Sequence, residues 1–304
     1  MKPWKNRLLL ATLAPLLLSA CKTTGAKIAA SAFTGSGDTF ARDEDPELVR
    51  AAVPFALKTM ESLLVTLPDD VELLKALTAN FTQYAYAFVQ QDADAAEMEG
   101  RSAEARAGRD RARKLFLRAR DYGLRGLDVR YPGLAKSLRG ARDLDAALAR
   151  VNPEDAELLY WTAAAWAMAI SDGKSDMQLV SELPAPVAMM RRGLALDEAF
   201  DHGAFHEFFV TYDGGRSAAD GGGPAVARRH LDRALALSGG KKLGVRVSWA
   251  ESVLVQQQDR AAYEAELRRV IAFDVDSAPE HRLANLIAQR RARLLLAHVD
   301  DLFA

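Results

Sequence analysis

The sequence predicts an all-α protein: a degenerate array of tetratricopeptide-like helical repeats, about four helix pairs with flanking helices, around a central pore or cavity. Three observations support this fold class. Apolar residues recur at three- and four-residue steps over most of the chain, as they do on one face of an α-helix. Breaks rich in glycine and proline separate these segments. No stretch alternates apolar and polar residues convincingly, so we expect no strands.

A leader precedes the helical part of the chain. Basic side chains among residues 2–7 are followed by an apolar run at 8–18, and two small residues lead to Cys21. This layout is typical of a bacterial secretory signal, and the run is shorter than the roughly 20 residues that a membrane-spanning helix needs. We predict a signal peptide at residues 1–20, cleaved before a lipidated Cys21. The alternative is a secreted protein with a chance cysteine at this position.

Cys21 is the only cysteine of the chain, so no internal disulfide is expected. We predict that residues 21–44 form a flexible tether and that residues 45–304 form the helical domain. Several acyl chains on Cys21 would make membrane attachment effectively permanent. Lys22 stands where an aspartate commonly retains lipoproteins at the inner membrane. We therefore expect a periplasmic protein anchored in the inner leaflet of the outer membrane.

The composition argues against several functions. A net charge of −1 provides no broad field for nucleic acid, so no nucleic-acid partner is expected. The arginines between residues 101 and 130 are interspersed with acidic residues, which favours a solvated helix face over a binding patch. The single thiol is assigned to lipid, and no Gly-x-Ser-x-Gly elbow or phosphate-binding glycine loop occurs. We therefore predict neither an enzyme nor a bound cofactor.

The first two helices have clear start signals. Asp45 caps a helix with Pro46 at its first position, and the apolar residues of 49–67 form one stripe. A second helix begins near Asp70 and places apolar residues on one face as far as Phe88. The acidic, alanine-rich residues 90–103 are predicted to form a loop.

The central helix is predicted from its hydrophobicity. A long basic helix ends near Tyr131, before Pro132 and Gly133. Residues 158–171 are apolar on all sides, which places their helix in the middle of the molecule. Further helices are predicted at 184–196, 201–212, 223–237, 243–257, 261–273 and 279–302.

Two later segments suggest the repeat. Residues 227–238 and 261–274 place small and large apolar residues at the spacing of the second helix of a tetratricopeptide repeat, and 186–197 does so more loosely. The intervals between the helix pairs are irregular, so the array is degenerate. The alternative is an unrelated helical bundle.

Aromatic residues crowd into the first helix of each pair, the helix that lines the concave side of such an array. Polar residues lie among the rings, as in a pocket that orients a ligand. The predicted ligand-binding residues are Phe81, Tyr84, Phe88, Tyr160, Trp161, Trp166, His206, Glu207, Phe209 and Trp249. The alternative is that these rings fill the core, as aromatic residues at helical spacing commonly do.

His202 and His206 have the spacing that brings two imidazoles onto one metal ion. However, Glu207 follows the second histidine, so the metalloprotease pattern is absent. We predict no metal site and expect a histidine that bonds a neighbouring helix or lines a pocket.

Several motifs, in order along nearly the whole mature chain, are similar to those of the TatT family of periplasmic lipoproteins. They are DPELVRAAVPFALKTMESLL (45–64), FTQYAYAFVQ (81–90), ARKLFLRARDYGLRGL (112–127), YWTAAAW (160–166) and HGAFHEFF (202–209). Members of this family are associated with tripartite ATP-independent periplasmic (TRAP) transporters.

The resemblance implies a body of tetratricopeptide-like repeats pierced by a pore or cavity. It further implies a periplasmic solute-binding protein of a TRAP transporter as partner, a small hydrophobic or organic-acid ligand, and assembly as a homotrimer. The competing hypothesis is a scaffold lipoprotein for envelope assembly that binds partner segments and no small molecule.

Overall fold

A computed structural model describes residues 26–27, 29–31, 35 and 37–303. Every regular element in these residues is helical and none is a strand, which confirms the all-α prediction. The predicted signal peptide and Cys21 lie outside the described residues. None of the described helices is long and apolar enough to span a membrane.

The α-helices are numbered here in chain order. They are α1 (Gly37–Ala41), α2 (Pro46–Thr66), α3 (Val71–Tyr84), α4 (Gln91–Met98), α5 (Ser102–Arg130), α6 (Leu134–Arg139), α7 (Leu144–Leu148), α8 (Ala156–Asp172), α9 (Met177–Ser181), α10 (Pro184–Leu196), α11 (Ala204–Gly214), α12 (Pro224–Leu237), α13 (Gly244–Trp249), α14 (Arg260–Ala272) and α15 (Arg282–Ala297). Two π-helical segments, Ala85–Gln90 and Ala250–Leu254, continue α3 and α13. Short 3-10 turns are Pro153–Asp155, Phe200–His202, Ala218–Asp220, Val275–Ser277, Pro279–His281 and Val299–Asp301.

Helix α2 begins as predicted. The Asp45 side chain accepts hydrogen bonds from the backbone N–H groups of Glu47 and Leu48 at 3.0 and 3.1 Å, and Pro46 occupies the first helical position. These contacts satisfy N–H groups that have no partner within the helix. The buried residues of α2 lie at three- and four-residue steps: Val49, Val53, Leu57, Met60 and Leu64.

The predicted loop at 90–103 is wrong. The chain continues from α3 through the π segment into α4, which ends only at Met98. Ala93 and Ala96 are buried, and a Cβ on Gly108 of α5 would lie 2.7 Å from the Ala93 Cβ. The small residues thus let α4 and α5 pack closely. Acidic Asp94 faces α5 and lies 3.1 Å from Arg109. The two side chains form an ion pair between α4 and α5.

The α8 helix lies in the interior, as its all-round hydrophobicity predicted. Leu159, Ala163 and Trp166 are completely buried. The α5 helix packs directly against α8, and a Cβ on Gly123 would overlap with the Thr162 hydroxyl. Glycine at this position therefore sets how closely the two central helices approach.

The last helix joins the two ends of the chain. Ile287 of α15 packs in the hydrophobic cluster of α2 and α3, while Ala292 and Leu295 of the same helix pack with α12–α14. In addition, Arg290 of α15 forms an ion pair with Asp92. The early and late helices therefore meet through α15.

Part of the predicted tether at residues 21–44 is helical. The α1 helix (Gly37–Ala41) contacts α15 and the turn Pro279–His281. Immediately after it, the Arg42 carbonyl accepts a hydrogen bond of 3.0 Å from Arg282. Ala30, before α1, is also buried in the hydrophobic cluster of α2 and α3. The flexible tether at residues 21–44 stays a prediction.

Candidate functional site

Tyr86 combines two properties that seldom occur together. It lies in the first π segment and exposes 45% of its surface. Nevertheless, burial raises the pKa of its phenol to about 12, with a further contribution from Glu251. Solvent therefore reaches the side chain in a place where protein atoms surround it and remove most of its hydration. The Tyr86 side chain is thus accessible to solvent although protein atoms surround it.

Tyr160 of α8 lies near Tyr86, which contributes to the raised pKa of the Tyr160 phenol. Its side chain is half-buried, and its ring lies 5.0–5.3 Å from the rings of Trp161, Phe200 and Phe205. Burial raises the pKa of its phenol well above the usual value, and the charges of Glu207 and Asp201 add to this effect. The phenol therefore lies against an aromatic wall, close to acidic groups.

Glu207 projects from α11 into this region. Its side chain is half-buried and burial raises its pKa, while Lys242 lowers it. A Cβ on Gly244, at the start of α13, would overlap with Glu207 Oε1. The carboxylate thus packs directly against the α13 backbone, where only glycine leaves it room.

Tyr86, Tyr160 and Glu207 form one group, which we call the interior polar cluster. The Glu207 charge raises the pKa of both phenols, so the three groups lie within electrostatic reach of one another. Among the described residues, no side chain or backbone group forms a hydrogen bond with any of the three side chains. Three polar groups that are accessible to solvent but have no protein partner are suited to bind a small molecule.

A network of ion pairs borders the interior polar cluster. Arg291 of α15 lies 2.6 Å from Glu251 and 3.1 Å from Asp94. The Glu251 charge raises the pKa of Tyr86 and the Arg291 charge lowers it, which places this network beside the Tyr86 phenol. The Arg291 side chain is only 12% exposed, so its charge is neutralised by the two carboxylates and not by bulk water.

Both π segments contribute to this region. Tyr86 lies in Ala85–Gln90, and Glu251 lies in Ala250–Leu254. A π segment adds a residue to a helical turn and redirects the side chains that follow, and such segments are frequent at functional sites. Here Tyr86 and Glu251 lie close enough for the Glu251 charge to raise the pKa of the phenol.

A strained turn sets the start of α11. Asp201, His202 and Gly203 have φ values of 41°, 57° and 96°, all in the left-handed region. Lys242 holds this turn, because its Nζ donates to the Asp201 carboxylate at 2.7 Å and to the Asp201 carbonyl at 2.9 Å. Strained backbone of this kind persists only where surrounding contacts hold it. The turn fixes the helix that carries Glu207.

Five of the predicted ligand-binding rings fill space between helices. They are Phe81, Phe88, Trp166, Phe209 and Trp249, each at most 8% exposed. The Trp166 Nε1 donates to Glu182 at 2.8 Å, and the Phe209 ring stacks on His230 at 5.1 Å. Their surfaces are covered by protein atoms, and a role in ligand binding stays a prediction for these rings.

The other predicted residues divide between two places. Tyr84 is half-buried, packs against Phe88 at 5.7 Å and lies near Arg50, whose pKa it helps to raise. Trp161 is half-buried and its ring meets that of Tyr160 edge to face. Of the residues that the sequence predicted, Tyr160 and Glu207 belong to the interior polar cluster, and Trp161 adjoins it.

Tyr86 was missed by the sequence analysis for a geometric reason. The predicted stripe of Phe81, Tyr84 and Phe88 follows one helical face, and Tyr86 lies two positions from Tyr84, on the opposite side. One signal in the sequence could have identified Tyr86. It is an aromatic residue that lies between two residues of the apolar stripe but on another face of the helix. No evident feature of the sequence predicts the π segment in which Tyr86 lies.

The histidines that the sequence placed at metal-ligand spacing lie apart. His202 belongs to the turn before α11, and its ring packs against His281 at 4.8 Å. The His206 Nδ1 lies 2.8 Å from the His230 Nδ1 of α12, and its Nε2 lies 3.1 Å from Glu198. The expectation of a histidine that bonds a neighbouring helix is confirmed for His206. The part of the chain that the structure describes contains no group of three or more metal-ligating side chains.

Comparison with known proteins supports the resemblance noted above. The sequence profile of the family described as TRAP transporter T-component matches residues 42–303. An uncharacterized protein of Treponema pallidum (strain Nichols) is 28% identical over 266 residues, which make up 87% of this chain and 82% of that protein. The profile match spans nearly the whole helical domain. The chain therefore belongs to the family of TRAP transporter T-components.

Proposed function

We propose that this protein is a periplasmic, non-enzymatic component of a TRAP transporter that holds a small, partly apolar molecule in its interior and docks a solute-binding protein. Family membership supports the association with a transporter. The observation that carries the binding function is the interior polar cluster, with three polar side chains that solvent reaches and no protein group satisfies. Such groups orient a ligand, and surrounding rings remove its hydration.

The apolar part of the ligand would lie against the aromatic residues around Tyr160. The rings of Trp161, Phe200 and Phe205 lie 5.0–5.3 Å from the Tyr160 ring. Phe205 is fully buried, which fixes the wall, whereas Trp161 is half-buried and available for contact. Removal of apolar surface from water at such a wall contributes about 25 cal/mol per Å².

The proposed docking surface is the solvent-facing side of α2. Leu48 and Phe55, two helical turns apart, are 59% and 75% exposed. Apolar side chains that remain exposed together on one helix commonly mark an interaction site. We assign this surface to the solute-binding protein because family membership supplies that partner; a second copy of the chain, as in the homotrimer that the resemblance implies, is the rival occupant.

The anchor remains a proposal as well. Lipidation of Cys21 would hold the domain at the inner leaflet of the outer membrane, through the residues that precede α1. Mass spectrometry of the protein purified from membranes tests this directly. An unmodified N-terminus at a residue other than 21 would contradict it.

Native mass spectrometry of the delipidated protein tests the binding function. We expect a co-purified small molecule in the wild-type protein and its loss in Tyr86→Phe and Glu207→Gln, because each change removes a polar contact. Tyr212→Phe serves as the matched control, since Tyr212 is a half-buried phenol that stacks on Phe208. A wild-type protein that never carries a ligand would favour the scaffold hypothesis.

A further inference from the structure

We propose that the interior polar cluster binds the positively charged amine of a ligand with an apolar body, and not an organic acid. This inference rests on the proposed function and specifies the ligand class of the same site. It follows from the charges and hydrogen-bonding groups around Tyr86, Tyr160 and Glu207. It departs from the organic-acid ligand that the family resemblance implies.

The cations that act on the interior polar cluster already have partners. Arg291 lies within 3.1 Å of both Glu251 and Asp94. Lys242 donates twice to Asp201 and has only 15% of its side chain exposed. The buried Arg291 Nη1 forms no hydrogen bond, but it lies 3.1 Å from Asp94 Oδ2, so a ligand carboxylate would have to displace a protein carboxylate from a largely buried ion pair. Breaking such a pair leaves a buried charge uncompensated, which is costly.

The carboxylates, by contrast, are in excess. The charged groups that influence Tyr86, Tyr160 or Glu207 comprise the acids Asp94, Asp201, Glu207 and Glu251 and the bases Lys242 and Arg291. Glu207 is the acid with no ion-pair partner among the described residues. Burial raises its pKa, and a cation beside it would offset that desolvation. Arg109, 3.1 Å from Asp94, balances one of the two excess acids, so the site lacks one positive charge.

The hydrogen-bonding groups fit an ammonium ion in number and kind. A primary ammonium has three N–H donors and no acceptor, whereas a carboxylate has acceptors only. The interior polar cluster offers three oxygen-bearing groups that can accept: the Glu207 carboxylate and the hydroxyls of Tyr86 and Tyr160. The phenol rings add a favourable interaction with a cation near their faces. A carboxylate ligand could bond the two hydroxyls but would meet Glu207 as a like charge.

The test compares three probes with the same chain and different head groups: octylammonium, octanoate and octanol. Their affinities for the full, delipidated protein are measured by isothermal titration calorimetry at pH 7.5 and constant ionic strength. We expect octylammonium to bind at least about tenfold more tightly than octanoate, with octanol between them. Glu207→Gln should abolish this preference, and Glu154→Gln, a change at an exposed glutamate, should leave it intact.

Two results would overturn the inference: octanoate binding as tightly as octylammonium, or an octylammonium preference that survives Glu207→Gln. If Glu207→Gln does not fold, as judged by circular dichroism, Tyr86→Phe replaces it and should weaken octylammonium binding severalfold by removing one acceptor.

Failure of the proposed function would give a different set of results from failure of the amine inference. In that case none of the three probes binds and the natively purified protein carries no small molecule. If no probe binds but an acid or neutral molecule co-purifies, the proposed function stands and the amine inference fails.

Discussion

The Nδ1 atoms of His206 and His230 lie 2.8 Å apart and join α11 to α12. Only one of these nitrogens can carry a proton, since each hydrogen bond has one donor. On the other side of His206, Nε2 lies 3.1 Å from Glu198, which Arg233 contacts through two hydrogen bonds of 2.7 Å. The pair thus fits two neutral imidazoles, and a second proton would place two N–H groups against each other.

Stability should therefore fall at acid pH. Burial lowers the pKa of His206, against the opposing effect of Glu198, and lowers that of His230. Each histidine binds protons more weakly in the folded than in the unfolded chain. The contribution of the neutral pair to the free energy of unfolding is therefore complete above pH 6.5 and declines below it. We expect the Tm to fall by roughly 2–4 °C between pH 7.5 and pH 5.5 through this pair.

Thermal denaturation at both pH values, followed by circular dichroism, measures this effect. The groups facing the pair also include Asp213, 3.6 Å from His230, and Arg229, whose charge lowers the His230 pKa. The double variant His206→Gln, His230→Gln should show a smaller acid-induced loss of Tm than the wild-type protein. An equal loss in both would exclude the histidine pair as the cause.

A second prediction concerns Asp172, at the end of α8. Burial raises its pKa to about 6; Gln90 donates to its Oδ1 at 3.1 Å, while its Oδ2 has no partner. The folded state therefore disfavours the ionised form, a penalty that is present above pH 6 and relieved below pH 3.8. Asp172→Asn should raise the free energy of unfolding by about 1 kcal/mol at pH 8.

Urea denaturation at pH 8 and pH 5 measures this change. The gain should shrink at pH 5, where the wild-type carboxyl is mostly protonated. Asp176→Asn is not a suitable control, because Asp176 caps α9; Asp69→Asn, at an exposed site, is preferable. A destabilised Asp172→Asn variant at pH 8 would contradict the argument.

A third prediction tests how Glu207 is positioned. Gly244→Ala introduces a methyl group that overlaps with Glu207 Oε1 and forces the carboxylate to move. We expect loss of the co-purified ligand with a Tm change of only a few degrees. Gly215→Ala, whose Cβ would meet only ordinary contacts, is the matched control. Ligand retention by Gly244→Ala would remove Glu207 from the proposed site.

A fourth prediction concerns the approach of the central helices. Gly123→Ala places a methyl group on the Thr162 hydroxyl, and overpacking of this kind costs about 1–3 kcal/mol. Urea denaturation should show this loss. The double variant Gly123→Ala, Thr162→Ala should recover part of it, because the second change makes room, and strictly additive losses would contradict direct contact.

A fifth prediction concerns docking. Phe55→Glu should abolish binding of the solute-binding protein by calorimetry or pull-down and leave the Tm unchanged, because the side chain is 75% exposed. Analytical ultracentrifugation of the same variant distinguishes the rival occupant. If trimers dissociate and docking persists, the α2 surface belongs to a contact between copies of the chain.

Local features were predictable because neighbouring residues decide them. The Asp45 cap with Pro46 marked the start of α2, and the interval 184–196 matched α10. The stretch Leu158 to Ser171 was recognised as central because no face of it is polar. Where local signals mislead, packing overrides them: acidic residues at 90–98 read as a loop, yet their helix is stabilised by contacts with α5.

The sequence alone thus determined the helical class, several helix boundaries and the family, since periodicity, caps and motifs act over a few residues. Only the tertiary structure decided which rings are fully buried and which remain accessible to solvent. Tyr86 belongs to the interior polar cluster, and Arg291 borders it because α15 returns to the early helices. Such relationships depend on contacts between distant parts of the chain, for which local patterns carry no signal.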